Sequence, residues 1–177
     1  MRRWSKNRAK EWFSKQPWLV GCNFLPSSAI NQLEMFQSET FDSDTLKREV
    51  GWARQLGFNS LRVYLHDLLW QDDSVGFCKR LNHFLDICTQ NKIRPILVLF
   101  DDCHRDDPTL GVQPLPVAGV HNSGWKQSPG KNLVDAINKD RATRIEIKHL
   151  KDFVQGVMNY FSKDNRILMW DIYNEPG

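Results

Sequence analysis

Arg94-Pro95-Ile96-Leu97-Val98-Leu99-Phe100 is the stretch whose reading decides the fold. After Pro95 it is unbroken in apolar residues and rich in β-branched and bulky side chains. Such a run suits a parallel strand covered on both faces, since an antiparallel strand with one wet face alternates apolar with polar. Working outward, Asn59 to Leu65 (NSLRVYL) reads as the strand before it, and Arg166 to Tyr173 as the strand after it. Trp18 to Phe24 reads as a first strand, entered from Pro17 and broken by Pro26 and Ser27-Ser28. Between these lie helical stripes. Asp42-Ser43-Asp44 offers capping chemistry, Leu46, Val50, Ala53 and Leu56 recur at helical spacing, and Gly57 stands where a helix ends. Phe77, Leu81, Phe84, Leu85 and Cys88 form a second stripe. A third helix is expected from about Arg141 to Phe161, with Ile147, Leu150, Val154, Val157 and Phe161 inward. Strands alternating with helices predict an α/β fold with a parallel sheet and right-handed crossovers.

Composition sets outer limits. The 177 residues carry 24 Lys and Arg against 21 Asp and Glu, with 41% hydrophobic residues. The small positive excess argues against a dedicated nucleic-acid binder. The longest aliphatic and aromatic run, Ile96 to Phe100, is far below the roughly 20 residues of a membrane span. Met1 to Lys15 has basic residues among Trp4, Trp12 and Phe13 and lacks the apolar core of a secretory signal, so a cytoplasmic location is expected. This segment reads as an amphipathic helix over one end of a core, or as a basic surface helix for a membrane or partner. Cys22, Cys78, Cys88 and Cys103 show no zinc or redox spacing and are expected as reduced, mostly buried thiols. Neither a metal nor a cofactor is expected.

Ligands of parallel strand–helix arrays bind beyond the carboxyl ends of the strands. Those ends collect Asn23 after the first strand and His66 and Asp67 after the second. Asp101, Asp102 and His104 follow the third, and Asn174 and Glu175 the fourth. The long segment from Asp101 to about Lys131 holds His121, Asn122 and Trp125. Its aromatic and polar content suggests function rather than a spacer. Arg62 interrupts an apolar strand, and a sequestered guanidinium needs a carboxylate partner. Asp101 and Asp102 either cap a turn or serve a ligand. His66 and His104 are either structural or substrate-facing. Trp125 either packs the loop or offers a platform for a sugar ring, with His121 beside it. Trp70 and Trp170 are expected in the core.

Trp170-Asp171-Ile172-Tyr173-Asn174-Glu175-Pro176 resembles the Asn-Glu-Pro signature of clan A glycoside hydrolases. These include cellulase-like family 5 enzymes and the catalytic barrels of family 2 β-glycosidases. Gly21 to Pro26 (GCNFLP) and Asn59 to Val63 (NSLRV) resemble that clan's first and second strands, so the likeness runs from about Trp18 onward. It implies a (β/α)8 TIM barrel and retaining hydrolysis of β-linked oligosaccharides or polysaccharides. It assigns Glu175 as general acid/base, Asn174 as the contact to the sugar hydroxyl beside the reacting carbon, and Arg62 as the holder of the nucleophile. His66, Asp101, His104, His121 and Trp125 are added from the residue reading as substrate contacts. In the clan the nucleophile is a Glu at the end of strand seven, whereas this sequence stops at strand four. A barrel of this kind takes about 250 residues. The expectation is therefore an N-terminal half, inactive alone and prone to self-association through its open side. Two other functions compete: a non-enzymatic carbohydrate-binding or interaction protein built on such a barrel, and a phosphate-binding isomerase or aldolase. The last needs a glycine-rich phosphate loop after strands seven and eight.

Overall fold

Three consecutive residues of the central strand, Leu97, Val98 and Leu99, are each 0% exposed. Neighbouring side chains of a strand point to opposite faces, so both faces are covered there, as the apolar run predicts. The computed structural model describes residues 3–102 and 107–176. Four strands, β1 (Gly21–Asn23), β2 (Ser60–Tyr64), β3 (Ile96–Asp101) and β4 (Met169–Asn174), pair in parallel in the order β1-β2-β3-β4. The fold is α/β around this four-stranded sheet.

Helices α1 (Lys6–Ser14), α2 (Gln32–Phe36), α3 (Ser43–Gln55), α4 (Asp67–Gln90), α5 (Lys131–Asn138) and α6 (Arg144–Phe161) complete the chain. One core joins α2, α3, α4 and α6 to the sheet face bearing Leu61, Val63, Leu97 and Leu99. Trp70 and Trp170 pack partly buried against it. The helix ends follow their sequence signals. Asp42 accepts from the backbone N–H of Asp44 and Thr45 to start α3, and Gly57 (φ 88°) follows its end. Thr143 and Glu146 form a reciprocal capping box at the start of α6. Two close approaches demand glycine: a Cβ on Gly21 would lie 2.0 Å from the Ser60 carbonyl oxygen, and one on Gly156 2.0 Å from the Trp70 ring.

Several expectations are corrected. The first strand is only Gly21–Asn23, and Trp18 is 87% exposed. Helix α1 buries none of its residues and covers no core; Trp4 instead meets Trp12 edge-on at 6.3 Å with the Arg8 guanidinium over its ring. Leu56 ends exposed, because it falls on the C-cap of α3. Helix α2 was hidden from a periodicity reading by its five residues, yet it buries Leu33, Met35 and Phe36. Helix α5 occupies Lys131–Asn138, between the irregular segment expected as far as about Lys131 and the helix expected from about Arg141, where no element was expected, and α6 starts later than Arg141. Phe153 joins Val157 and Phe161 as the buried residues of α6, whereas Ile147, Leu150 and Val154 are half-buried. Cys78 and Cys88 are buried but Cys22 is exposed; Cys103 lies outside the described residues. Burial, and secondarily the charge of Asp73, pushes the Cys78 thiol up to about 11. No helix among the described residues is long and apolar enough to cross a membrane.

Candidate active site

On the sheet face opposite the helical core, the register sets Arg62 of β2 beside Ile96 of β3, and Val98 of β3 beside Asp171 of β4. Arg62 thus reaches across β3. Its Nε and Nη2 donate to Asp171 Oδ2 at 3.1 and 2.5 Å, and Nη2 also donates to Asn174 Oδ1 at 2.8 Å. Nη1 donates to the Tyr64 hydroxyl and, at 3.4 Å, to Asn23 Oδ1. The guanidinium carbon stands 4.8 Å from the centre of the Tyr64 ring. The carboxylate that Arg62 needs is therefore Asp171. Sequence reasoning missed it as a site residue, although Asp171 lies inside the quoted β4 stretch. Tyr64 was missed too; its spacing of two from Arg62 on one strand is the signal that puts both on one face.

From Asn174 the bonds continue into the long loop. Asn174 Nδ2 donates to Asp101 Oδ1 at 2.9 Å, and Trp125 Nε1 donates to Asp101 Oδ2 at 2.5 Å. Asp101 is buried, 1% exposed. Its two carboxylate oxygens each accept from one of those side chains, so the buried Asp101 orients both. Trp125 in turn stands edge-on to Tyr64, with ring centres 4.9 Å apart at 89°. Arg62, Asn174, Asp101 and Trp125, four of the residues singled out in the sequence, thus form one bonded chain.

The loop that delivers Trp125 is fastened below it. Asp101 and Ser128 exchange backbone hydrogen bonds at 2.7 and 3.0 Å. Gln127 Nε2 donates to Asp102 Oδ1. Ser128 Oγ donates to Asp67 Oδ1 at 2.6 Å and accepts from the Asp67 backbone N–H at 3.1 Å. His149 of α6 lies with Nε2 2.8 Å from Asp67 Oδ2. Burial by itself raises the Asp67 carboxyl. Hydrogen bonds from His149 and Ser128 outweigh it and hold the group far below the usual carboxylate range. His66 is 0% exposed. Its Nε2 donates to the Gln127 carbonyl and its Nδ1 accepts from the Leu68 N–H as the cap of α4. His66 is thus a buried anchor of the loop, correcting its assignment as a substrate contact. Asp67, Gln127 and Ser128 escaped the sequence reading as site residues because their role is to fix a loop.

Beside the bonded chain opens a cavity of about 380 Å³, walled by Asn23, Phe24, Tyr64, His121, Asn122 and Trp125 among others. It brings His121 and Trp125 together as the sequence proposed. His104 lies outside the described residues. Glu175 follows β4 directly; its side chain is exposed and its backbone is left-handed at φ 48°. Neighbouring Tyr173 packs on Phe100 at 5.6 Å. Burial, then the charges of Asp102, Asp101 and Asp67, push its phenol up to about 12. Among the described residues no three His, Cys, Asp or Glu side chains converge as a metal site would need.

Comparison with known proteins returns no match, either to a family model or to a curated protein sequence.

Proposed function

We propose that the four parallel strands are the first half of a (β/α)8 barrel and that the chain belongs to a retaining β-glycoside hydrolase. The observation that carries this reading is the bonded chain Arg62–Asn174–Asp101–Trp125 at the carboxyl ends of β2, β3 and β4, with Glu175 the next residue along. Ligands of parallel strand–helix folds bind at those ends. The Trp125–Tyr64 wall offers an aromatic surface to a sugar ring, and Asn23, His121 and Asn122 supply polar groups for its hydroxyls. In this reading Glu175 protonates the leaving glycosidic oxygen and then deprotonates the water that releases the sugar. Asn174, oriented at both ends of its amide, bonds the hydroxyl next to the reacting carbon. The substrate is a β-linked oligosaccharide or polysaccharide.

Retaining chemistry requires a second carboxylate about 5 to 5.5 Å from the first. The resemblance seats the nucleophile at the end of a seventh strand, a position that Asp171 inside β4 does not match, so Asp171 is read as the partner of Arg62 and not as the nucleophile. The reading therefore places the nucleophile outside these 177 residues.

The test is hydrolysis of aryl β-glycosides by the complete gene product and its Glu175→Gln variant. A loss of at least about 100-fold is expected, the contribution of a positioned acid/base. Turnover by the variant at the unaltered rate would reject the assignment. The 177-residue chain alone is expected to turn over none.

A second reading, carbohydrate binding without hydrolysis, is favoured by one observation: the walls of the cavity beside Trp125 do not include Glu175. Sugar binding by a complete gene product that lacks hydrolysis would select it.

A further inference from the structure

Helix α1 buries none of its residues, yet it is two-sided. At about 100° per residue, Trp12, Ala9 and Phe13 share one arc of the helix. Lys6 and Lys10 flank that arc on one side and Arg8 on the other. Phe13 is 65% exposed, and Trp18, beyond the helix, is 87% exposed. Residues 3–20 hold Arg3, Lys6, Arg8, Lys10 and Lys15 against one acid, Glu11, which pairs with Lys15 at 2.6 Å.

The fold sets this segment at the amino ends of the strands. Arg94, just before β3, donates from Nη1 to Gln16 Oε1 at 3.1 Å. Asn59, just before β2, donates from Nδ2 to the Trp18 carbonyl at 2.7 Å and accepts from the Val20 N–H at 2.9 Å. The connections that return the chain to this end, from α3 to β2, α4 to β3 and α6 to β4, bring exposed Leu56, Lys92 and Lys163 with them. Arg54, exposed in the last turn of α3, joins them. The opposite end of the sheet carries the carboxylates of Asp67, Asp101, Asp102 and Glu175. The molecule is thus polarised, with cations among exposed apolar side chains at one end and carboxylates with the candidate site at the other.

Both properties of the amino end fit one partner. Clustered Lys and Arg are attracted to an anionic lipid surface, and Trp favours the boundary between headgroups and acyl chains. Phe13 and Leu56 gain by leaving water there. A nucleic acid satisfies the cations and stacks on the rings but leaves the aliphatic Leu56 and Val20 in water.

We propose that this end of the molecule, led by α1 and Trp18, docks on a bilayer of anionic phospholipid, with α1 in the headgroup layer and the candidate site turned toward water. The carboxylates of the far end are repelled by the same surface, which fixes the orientation. The docking face and the candidate site lie at opposite ends of the sheet, so the docking does not rest on the glycoside reading.

Vesicle flotation tests it, using the 177-residue chain and the complete gene product. The vesicles are phosphatidylcholine alone and an equal mixture with phosphatidylglycerol. Both proteins are expected to bind the mixed vesicles at least about tenfold more tightly, an advantage that fades as salt rises. Lys6→Gln with Lys10→Gln is expected to weaken that binding at least about tenfold, since each cation near such a surface contributes roughly fivefold. Phe13→Ser with Trp18→Ser is expected to weaken it by at least about tenfold as well. All four side chains are exposed, so both double variants are expected to melt with the parent. Equal binding to the two kinds of vesicle, or none to either, would overturn the proposal. Binding by the 177-residue chain that the complete gene product lacks would also overturn it, identifying this face as one covered by the rest of the protein. Competition by single-stranded DNA, with vesicle binding untouched by Phe13→Ser and Trp18→Ser, would overturn it in favour of a polyanion site. Self-association that Phe13→Ser and Trp18→Ser abolish, without vesicle binding, would overturn it in favour of an interface between copies.

Discussion

Arg62 and Asp171, 109 residues apart in sequence, meet across β3 with Nη2 2.5 Å from Oδ2. Both side chains are only partly exposed, at 23% and 28%. Asp171→Ala leaves the guanidinium with neutral partners alone. The expected cost is about 2 kcal/mol, the scale of a hydrogen-bonded charge, or a fall in Tm of roughly 4 to 8 °C for a chain of this size. Thermal unfolding of Asp171→Ala, Arg62→Met and the double variant measures the coupling. Additive single effects, with a coupling below about 0.3 kcal/mol, would show that the pair does not stabilise the sheet.

Helix positions separate two kinds of glycine. Gly51, inside α3, has room for a methyl group, with the nearest atom 3.9 Å from the ideal Cβ. Gly51→Ala is expected to raise stability by about 0.5 to 1 kcal/mol through helix propensity. Gly156 of α6 has Trp70 in that space. Gly156→Ala must push α6 off α4 or force the indole out of place, at about 1 to 3 kcal/mol. Denaturant titration of both variants checks the contrast, and equal effects would refute it.

The parallel sheet was legible because its central strand is apolar on both faces and its helices carry clean stripes at Leu46, Val50 and Ala53 and from Phe77 to Cys88. Short elements were not: α2 has five residues, too few for a period to emerge. The site was legible where polar residues sit at strand ends, as Asn174 and Asp101 do. Arg62 announced that it needed a carboxylate, but the identity of that partner depends on the register of β2, β3 and β4, which no local pattern encodes. His66 shows the opposite limit. Its residue type suits ligand contact and capping alike, and only burial decides between them.

Asp67 makes the loop anchor sensitive to acid. Its carboxyl is held far below the usual range, burial being outweighed by His149 and Ser128. A depressed carboxyl contributes stability that is present above its unfolded value, near 3.9, and is lost as pH falls toward its folded value. Asp67→Asn is therefore expected to lower stability at pH 7 and to flatten the loss of stability between about pH 4 and pH 2. Denaturant midpoints across that interval test it. An unchanged acid limb in the variant would remove Asp67 from the account.

Glu175 joins backbone strain to the proposed chemistry. Its φ of 48° lies in the left-handed region, which costs a non-glycine residue about 1 kcal/mol and a β-branched one more. Glu175→Gly should therefore raise stability by up to about 1 kcal/mol, roughly 2 to 4 °C in Tm. Glu175→Val should lower it. In the complete gene product the same Glu175→Gly change should abolish hydrolysis, because it removes the proposed acid/base. A more stable and inactive variant is the signature of strain kept for function. If the glycine and valine variants melt at one temperature, the left-handed backbone does not belong to this position in solution, and the placement of the carboxylate beyond β4 falls with it.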